Sequence, residues 1–314
     1  MKILVPHDST EFQGGGSTFI ANFSKAINKY GHQTVESGSD YDVLFIAGAT
    51  LADREQVTQA KKDGKTIVLR VDNILEDRKN RNSGMPRLYD YAELADVIVY
   101  QTEWAKRLLS PLLGNGIVIN NGVDTDIFYP RTEKKDWEGL RIFYSKYSRN
   151  EVKQFHEVQY WWREYNLEKK DDTLVLVGRF ADDYLRIDHP FDFHNEEQYE
   201  YKGVIQNPQV LADVLRGCDI AFLPYMFDAC SNTVLEAQAC GLPVIYSPTG
   251  GTPEIVEYGE VIDWHRSPVE MVQTAMGSAK KFHPIDHEAL FGLETMGERY
   301  HALFTTITSK VYEV

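Results

Sequence analysis

Residues 218–256 constrain the fold of this chain more than any other stretch. The apolar run Ile220–Leu223 reads as a buried strand. After a short loop, Ser231 and Asn232 stand where a helix N-cap belongs. Residues 233–239 are good helix formers, and Gly241 supplies the stop. Pro243 then opens a second apolar run, Val244–Tyr246, and Gly250 and Gly251 lead into another helix start at Thr252, Pro253 and Glu254. Strand, helix, strand, helix is the order of a parallel sheet with crossover helices. Such an order brings two helix N-termini to the carboxyl ends of neighbouring strands. Free N–H groups and the positive end of the dipole suit each of them to an anion, phosphate above all. Asp228 precedes the first of these helices and Glu236 lies inside it, eight positions on.

The rest of the chain repeats the alternation. Residues 2–6, 42–46, 66–71, 95–100 and 116–120 read as strands of one sheet, and residues 141–144, 173–178 and 201–205 as strands of a second. Between them lie helical patterns: one after Gly14, Gly15 and Gly16, with Ser17 or Thr18 as cap, others at 51–62, 152–165, 208–216, 263–276 and 290–314. Thr102 is placed to cap a further helix, with Glu103 in its first turn. Residues 134–136 have the look of an exposed linker. The aromatic residues of 152–165 are expected in a core.

The stretch 228–256 resembles the donor-binding segment of the retaining glycosyltransferases of family 4, which have the GT-B fold. Their pattern is a carboxylate, seven residues, a Glu, then A-x-A-C-G-x-P-V and G-G-x-x-E-I-V; here Asp228, Glu236, residues 237–244 and residues 250–256 match it without a gap. The first acid is usually Glu, and Asp228 is a methylene shorter. A second resemblance lies at residues 120–130, where the family carries I-x-N-G-V-D and then F-x-P at the exit from its first domain. Gly122 is expected to allow the turn there and Pro130 to stiffen the exit. The resemblance implies an α/β protein of two Rossmann-like parallel-sheet domains facing each other across a cleft: an acceptor-side domain at 1–135, a nucleotide-sugar-binding domain at 136–295, and a C-terminal helix at 296–314 crossing back. At 314 residues the chain is long enough for two such domains. Its size and the R-V-D-N segment also resemble short proteins of this type from bacteriophages.

The resemblance implies roles for particular residues. Glu236 takes the position that binds the ribose hydroxyls, and Asp228 the one beside the transferred sugar. Ser231, Asn232, Thr233 and Val234 belong to the donor-binding segment, and Gly15 and Gly16 to the loop that approaches the diphosphate and the sugar. Two family cations hold the diphosphate; Lys146 stands at the first of these positions, Lys153 falls near the second, and Arg149 is a rival. The family's acceptor-side His is missing at the end of the third long strand, where Arg70, Asp72 and Asn73 stand. Asp72 therefore has two readings, orienting the acceptor hydroxyl as a base or capping its loop. Arg78, Lys79, Arg81 and Arg87 fall within ten positions. This basic loop is either solvated surface or, with Arg78 and Arg81 foremost, a holder of an anionic acceptor.

The formal charge of −14 is uneven. Residues 1–135 carry 17 basic and 18 acidic residues, the remainder 16 and 29, which argues against a general nucleic-acid or anionic-membrane binder. No apolar run approaches a membrane span and no signal-peptide pattern is seen, and Cys218, Cys230 and Cys240 lack metal-ligand spacing, so a cytoplasmic protein is expected. His283 and His287 have the H-x-x-x-H spacing, but Pro284 interrupts it, and the pair reads as a surface loop rather than a metal site. The expected donor is a UDP- or GDP-sugar, with no cofactor and no metal. The expected acceptor is a hydroxyl on a glycan, lipid or small molecule. Alternative readings are transfer to a modified nucleic-acid base, epimerisation of a nucleotide sugar, and a non-catalytic sugar-nucleotide-binding module.

Overall fold

The computed structural model describes residues 1–7, 15–72, 84–133, 135–146, 151–180, 198–281 and 283–309. The chain forms two units. Unit 1 comprises Met1–Val123, Ala229–Asn232 and Glu288–Val314; unit 2 comprises Asp124–Asp228 and Thr233–His287.

In unit 1 the strands β1 (Lys2–Leu4), β2 (Gln33–Val35), β3 (Val43–Ile46), β4 (Thr66–Arg70), β5 (Val97–Tyr100) and β6 (Ile117–Val118) form one parallel sheet in the order β2-β1-β3-β4-β5-β6. The helices α1 (Gly15–Asn28), α2 (Arg54–Lys62), α3 (Met85–Leu94) and α4 (Glu103–Leu113) connect them. Every residue of β3 is buried, as a strand covered on both faces must be. One face is an aromatic layer. Phe23 of α1 stacks on Phe45 of β3 at 4.3 Å between ring centroids, and Tyr300 meets Phe23 edge-on at 5.0 Å. The opposite face holds Leu44, Ile46, Leu69, Tyr91 and Leu109.

In unit 2 the strands β7 (Arg141–Lys146), β8 (Thr173–Gly178), β9 (Tyr199–Tyr201), β10 (Ile220–Leu223), β11 (Val244–Tyr246) and β12 (Gly259–Val261) form a second parallel sheet in the order β12-β11-β10-β7-β8-β9. The helices among them are α5 (Phe155–Glu168), α6 (Pro208–Arg216), α7 (Asn232–Ala239), α8 (Thr252–Ile255) and α9 (Pro268–Ser278). Trp161 of α5 stacks on Phe222 of β10 at 4.2 Å. Ser267 and Glu270 close a full capping box at the start of α9. The chain ends in α10 (Pro284–Phe291) and α11 (Leu293–Ser309), and α11 supplies Tyr300 and Phe304 to the aromatic layer of unit 1.

Several expectations are corrected. Helix α1 begins at Gly15, so Ser17 and Thr18 lie in its first turn instead of capping it. Strand β2 and helix α3 were not legible, and Arg87 stands on α3, not in a basic loop. Lys135 is not slack linker: its ammonium bonds Gly139 O and lies 3.2 Å from Asp219 Oδ2. Gly122 has no positive φ. It is needed for close approach, because a Cβ there would stand 3.0 Å from Met296 Cβ and 3.2 Å from Gly292 O. Tyr160 is exposed, unlike the other aromatic residues of α5. His287 is buried within α10, because Pro284 occupies the first helical position, where a missing N–H breaks no bond. Thr102 does cap α4, its Oγ1 accepting from Ala105 N at 3.2 Å. No helix among the described residues is long and apolar enough to cross a membrane.

Candidate active site

In unit 2 the carboxyl end of β10 runs into Tyr225, Met226, Phe227 and Asp228. Tyr225 is fully buried, and its hydroxyl donates to Ser145 O at 2.6 Å. Burial pushes the Tyr225 phenol far above its ordinary range. The ring forms a floor for Lys153, whose Nζ stands 3.6 Å from the centroid and 2.7 Å from Asp228 Oδ2. Two hydrogen bonds to backbone carbonyls fix this arrangement: Tyr144 Oη donates to Lys153 O at 2.9 Å, and Met226 N donates to Val152 O at 2.9 Å. Phe227, just before Asp228, is left-handed with φ 56°, an uncommon state for an aromatic residue. The Gly-Gly loop explains how Asp228 is seated. Gly251 N donates to Asp228 O at 2.7 Å, and a Cβ on Gly250 would lie 2.8 Å from that oxygen and 2.9 Å from Asp228 N. Only glycine, at φ 82°, lets the loop come this close.

Glu236 lies one turn into α7 and is 6% exposed. Burial pushes its carboxyl up to about 7, while the charge of Lys153 pulls it down. Val234 is buried, and Thr233 hydrogen-bonds the Tyr225 hydroxyl. Helix α7 is braced from behind. His287 Nε2 meets Leu235 O at 3.2 Å, and its Nδ1 bonds the Glu257 carboxylate. Gln238 Nε2 donates to Tyr258 O at 2.7 Å, and Gln238 Oε1 accepts from Glu257 N at 3.0 Å. Lys146, expected to hold the diphosphate, ends β7 and is 1% exposed. Gly178 lies against it with φ 117°, and a Cβ there would stand 2.0 Å from Lys146 O. Arg149 lies outside the described residues.

Unit 1 contains Ser231, Asn232, Gly15 and Gly16. Asn232 Nδ2 donates to Gly15 O at 3.1 Å, and Asn232 Oδ1 accepts from Asn121 Nδ2 at 2.8 Å. Ser231 is buried. Arg70, read from the sequence only as standing near a missing His, is a buried hub that bonds Ala47 O, Gln101 and Asn121. The signal was an arginine inside the apolar run T-I-V-L-R-V. Asp72 Oδ1 accepts from Ala49 N at 3.2 Å, and a Cβ on Gly48 would stand 2.5 Å from Asp72 Oδ2. Arg78 and Arg81 lie outside the described residues. Among the described residues no group of three or more His, Cys, Asp or Glu is arranged to hold a metal ion.

Residues 144–275 match the family Glycosyl transferases group 1. The chain carries a group 1 glycosyl transferase domain. A D-inositol 3-phosphate glycosyltransferase of Rhodococcus opacus (strain B4) is 40% identical over 65 residues, 20% of this chain and 15% of that relative. The chain thus matches only a minor part of the length of its curated relatives, 26% in the case of the Corynebacterium jeikeium (strain K411) protein of the same name. Over the whole chain the likeness is one of fold. Anabaena HepE in complex with UDP and glucose superimposes with a TM-score of 0.73 at 15% identity, covering 98% of this chain and 100% of that one. Sucrose-phosphate synthase from Thermosynechococcus elongatus does so with a TM-score of 0.69 at 13% identity, covering 98% and 99%. With its two six-stranded parallel sheets, the chain has the GT-B fold.

Proposed function

We propose that the protein is a retaining glycosyltransferase that moves a sugar from a nucleoside diphosphate sugar to an acceptor hydroxyl. The observation that carries this reading is the Lys153–Asp228 pair, 2.7 Å apart, followed in the chain by the helix that holds buried Glu236. Glu236 accepts hydrogen bonds from the ribose. Lys153, with Arg149 and the free N–H groups at the start of α7, meets the diphosphate, whose charge grows as the sugar departs. Asp228 orients the sugar hydroxyls or stabilises positive charge developing at the anomeric carbon. Gly15, Gly16, Ser231 and Asn232 are proposed as further donor-binding residues. HepE binds UDP and glucose, which favours UDP as the nucleotide here.

On the acceptor side, Asp72 orients the acceptor hydroxyl, and Arg78 and Arg81 hold an anionic group of the acceptor. The D-inositol 3-phosphate named for the curated relatives is an acceptor of that chemical kind.

Incubation with a panel of UDP- and GDP-sugars tests the reading. Slow release of nucleoside diphosphate from one donor is expected, and proton NMR of a transferred product should show the donor's anomeric configuration kept. Inversion at C2 of the sugar without release of nucleotide would make the protein an epimerase. Binding without any turnover would make it a sugar-nucleotide-binding module. An inverted anomeric centre would refute retention.

A further inference from the structure

A buried polar cluster in unit 1 contacts residues 229–232, and the reading above gives it no role. Arg70, Gln101 and Asn121 are each 3% exposed and Thr102 is 0% exposed. A buried guanidinium is costly unless its N–H groups are matched. Here Nη1 donates to Ala47 O at 2.8 Å, and Nη2 donates to Gln101 Oε1 and to Asn121 Oδ1, each at 2.8 Å. The guanidinium carbon lies 3.7 Å from the centroid of the Phe19 ring. Gln101 is fixed in turn, its Nε2 donating to Val71 O at 2.9 Å.

These bonds decide which way the Asn121 amide points. Its oxygen is taken by Arg70, so its Nδ2 faces the other way, where it donates to Cys230 O at 2.9 Å and to Asn232 Oδ1 at 2.8 Å. Thr102 adds a second anchor, donating from Oγ1 to Ala229 O at 3.0 Å while it accepts from Ala105 N. Residues 229–232 join Asp228 to the first turn of α7. Three of these four residues are therefore held by Thr102, just after β5, and Asn121, in the segment after β6, with Arg70 at the end of β4 bonding Asn121 in turn.

We infer that Arg70, Asn121 and Thr102 are positioning residues for this loop. Arg70 orients the Asn121 amide, and that amide, with the Thr102 hydroxyl, fixes the backbone from Ala229 to Asn232. The planar fork of Arg70 serves three acceptors at once, which the point charge of a lysine does not reproduce. The consequence for turnover rests on the proposed glycosyl transfer, since a constellation loosened by about an ångström loses much of its rate. The clamp itself does not depend on that reading.

The test uses Asn121→Asp, which keeps an oxygen for Arg70 but sets a carboxylate against Cys230 O, and Thr102→Val, which keeps the shape but removes the donor. Thr102→Ser is the rescue. Amide hydrogen exchange over residues 229–235 should accelerate roughly tenfold in the first two variants, the scale of one or two lost hydrogen bonds, and return to the wild-type rate in Thr102→Ser. Protection of β3 and β4 should stay unchanged. With an active nucleotide sugar, kcat should fall roughly tenfold or more while KM moves less. Unchanged exchange over 229–235 in folded variants overturns the inference. If Asn121→Asp does not fold, the Thr102→Val and Thr102→Ser pair decides. If the wild type turns over no nucleotide sugar, the transferase reading fails while the exchange result still rules on the clamp.

Discussion

Lys153 Nζ stands 2.7 Å from Asp228 Oδ2 and 3.6 Å from the centroid of the Tyr225 ring. The two charged side chains are 22% and 19% exposed, so the ion pair is screened far less than one on an open surface. The ammonium is held between a carboxylate and a π-face, and the ring is itself locked by its bond to Ser145 O. One cation therefore serves two tasks in the proposed chemistry: it orients Asp228 and it presents charge to a diphosphate.

Separate effects are expected when the two members of the pair are changed. Lys153→Met should weaken UDP binding by roughly tenfold or more, the scale of a lost charged hydrogen bond, and leave uridine binding nearly unchanged. Asp228→Asn should lower kcat far more than it lowers UDP affinity. Calorimetric titration with UDP and with uridine reads the first, and steady-state kinetics the second. A UDP affinity in Lys153→Met unchanged from the wild type would remove the lysine from the diphosphate site.

Glu236 predicts a pH dependence with a definite sign. Burial raises its carboxyl from an ordinary 4.5 to about 7. Between those values the unfolded chain has released the proton and the folded chain still holds it, so unfolding releases a proton and stability falls as pH rises. The contribution is fully present below 4.5, is lost progressively up to about 7, and then levels off. A shift of this size corresponds to roughly 3 kcal/mol. Glu236→Gln, neutral at every pH, should flatten that part of the Tm–pH profile relative to the wild type. Glu236→Ala should also weaken nucleotide binding by about 1.5–3 kcal/mol if the carboxylate accepts from the ribose. A Tm–pH profile unaltered by Glu236→Gln would show that this carboxyl ionises normally.

Two glycines with positive φ allow a controlled comparison. Gly250, at φ 82°, would place a Cβ 2.8 Å from Asp228 O, whereas Gly203, at φ 69°, has no atom within 4 Å of such a Cβ. Gly203→Ala should cost only the left-handed backbone term, about 1–2 kcal/mol. Gly250→Ala adds a collision with backbone and should displace Asp228, lowering both Tm and turnover. Comparable losses in the two variants would mean that the Gly-Gly loop does not seat Asp228.

The legible part of this chain is the part governed by local rules. The alternation of apolar runs gave most strands of the two sheets, but not β2 or β12, and it placed a strand at 201–205 where β9 spans Tyr199–Tyr201; the Thr102 cap followed from side-chain chemistry near in sequence. Strand β2, only Gln33–Val35, has no apolar run because it lies at the edge of its sheet, beside β1 alone. The misread residues are those whose role is set at long range. His287 looked like a surface residue because its partners, Glu257 and Leu235, are 30 and 52 positions away. The Arg70 hub depends on Gln101 and Asn121, 31 and 51 positions on. The burial of Lys146 at the end of β7 was likewise not legible, because it comes from the strands packed beside β7.

The aromatic layer of unit 1 holds a polar atom that is out of place. Tyr300 is fully buried among Phe19, Phe23, Phe45 and Phe304, and among the described residues its hydroxyl has no hydrogen-bond partner. Burial pushes the phenol well above its ordinary range, so it stays neutral, yet a neutral hydroxyl without a partner still forfeits its bonds to water. Phenylalanine keeps the edge-on contacts with Phe23 and Phe45, at 5.0 and 5.4 Å, and removes only that loss. Tyr300→Phe should therefore raise stability, by about 1 kcal/mol, unlike most core substitutions, which lower it. Tyr300→Ala should lower it by about 3–5 kcal/mol, because α11 would lose its main contact with Phe23 and Phe45 and leave a cavity. Urea unfolding of the three proteins measures both changes. A Tyr300→Phe variant less stable than the wild type would reveal a partner for the hydroxyl, in the native state, that the described residues do not supply.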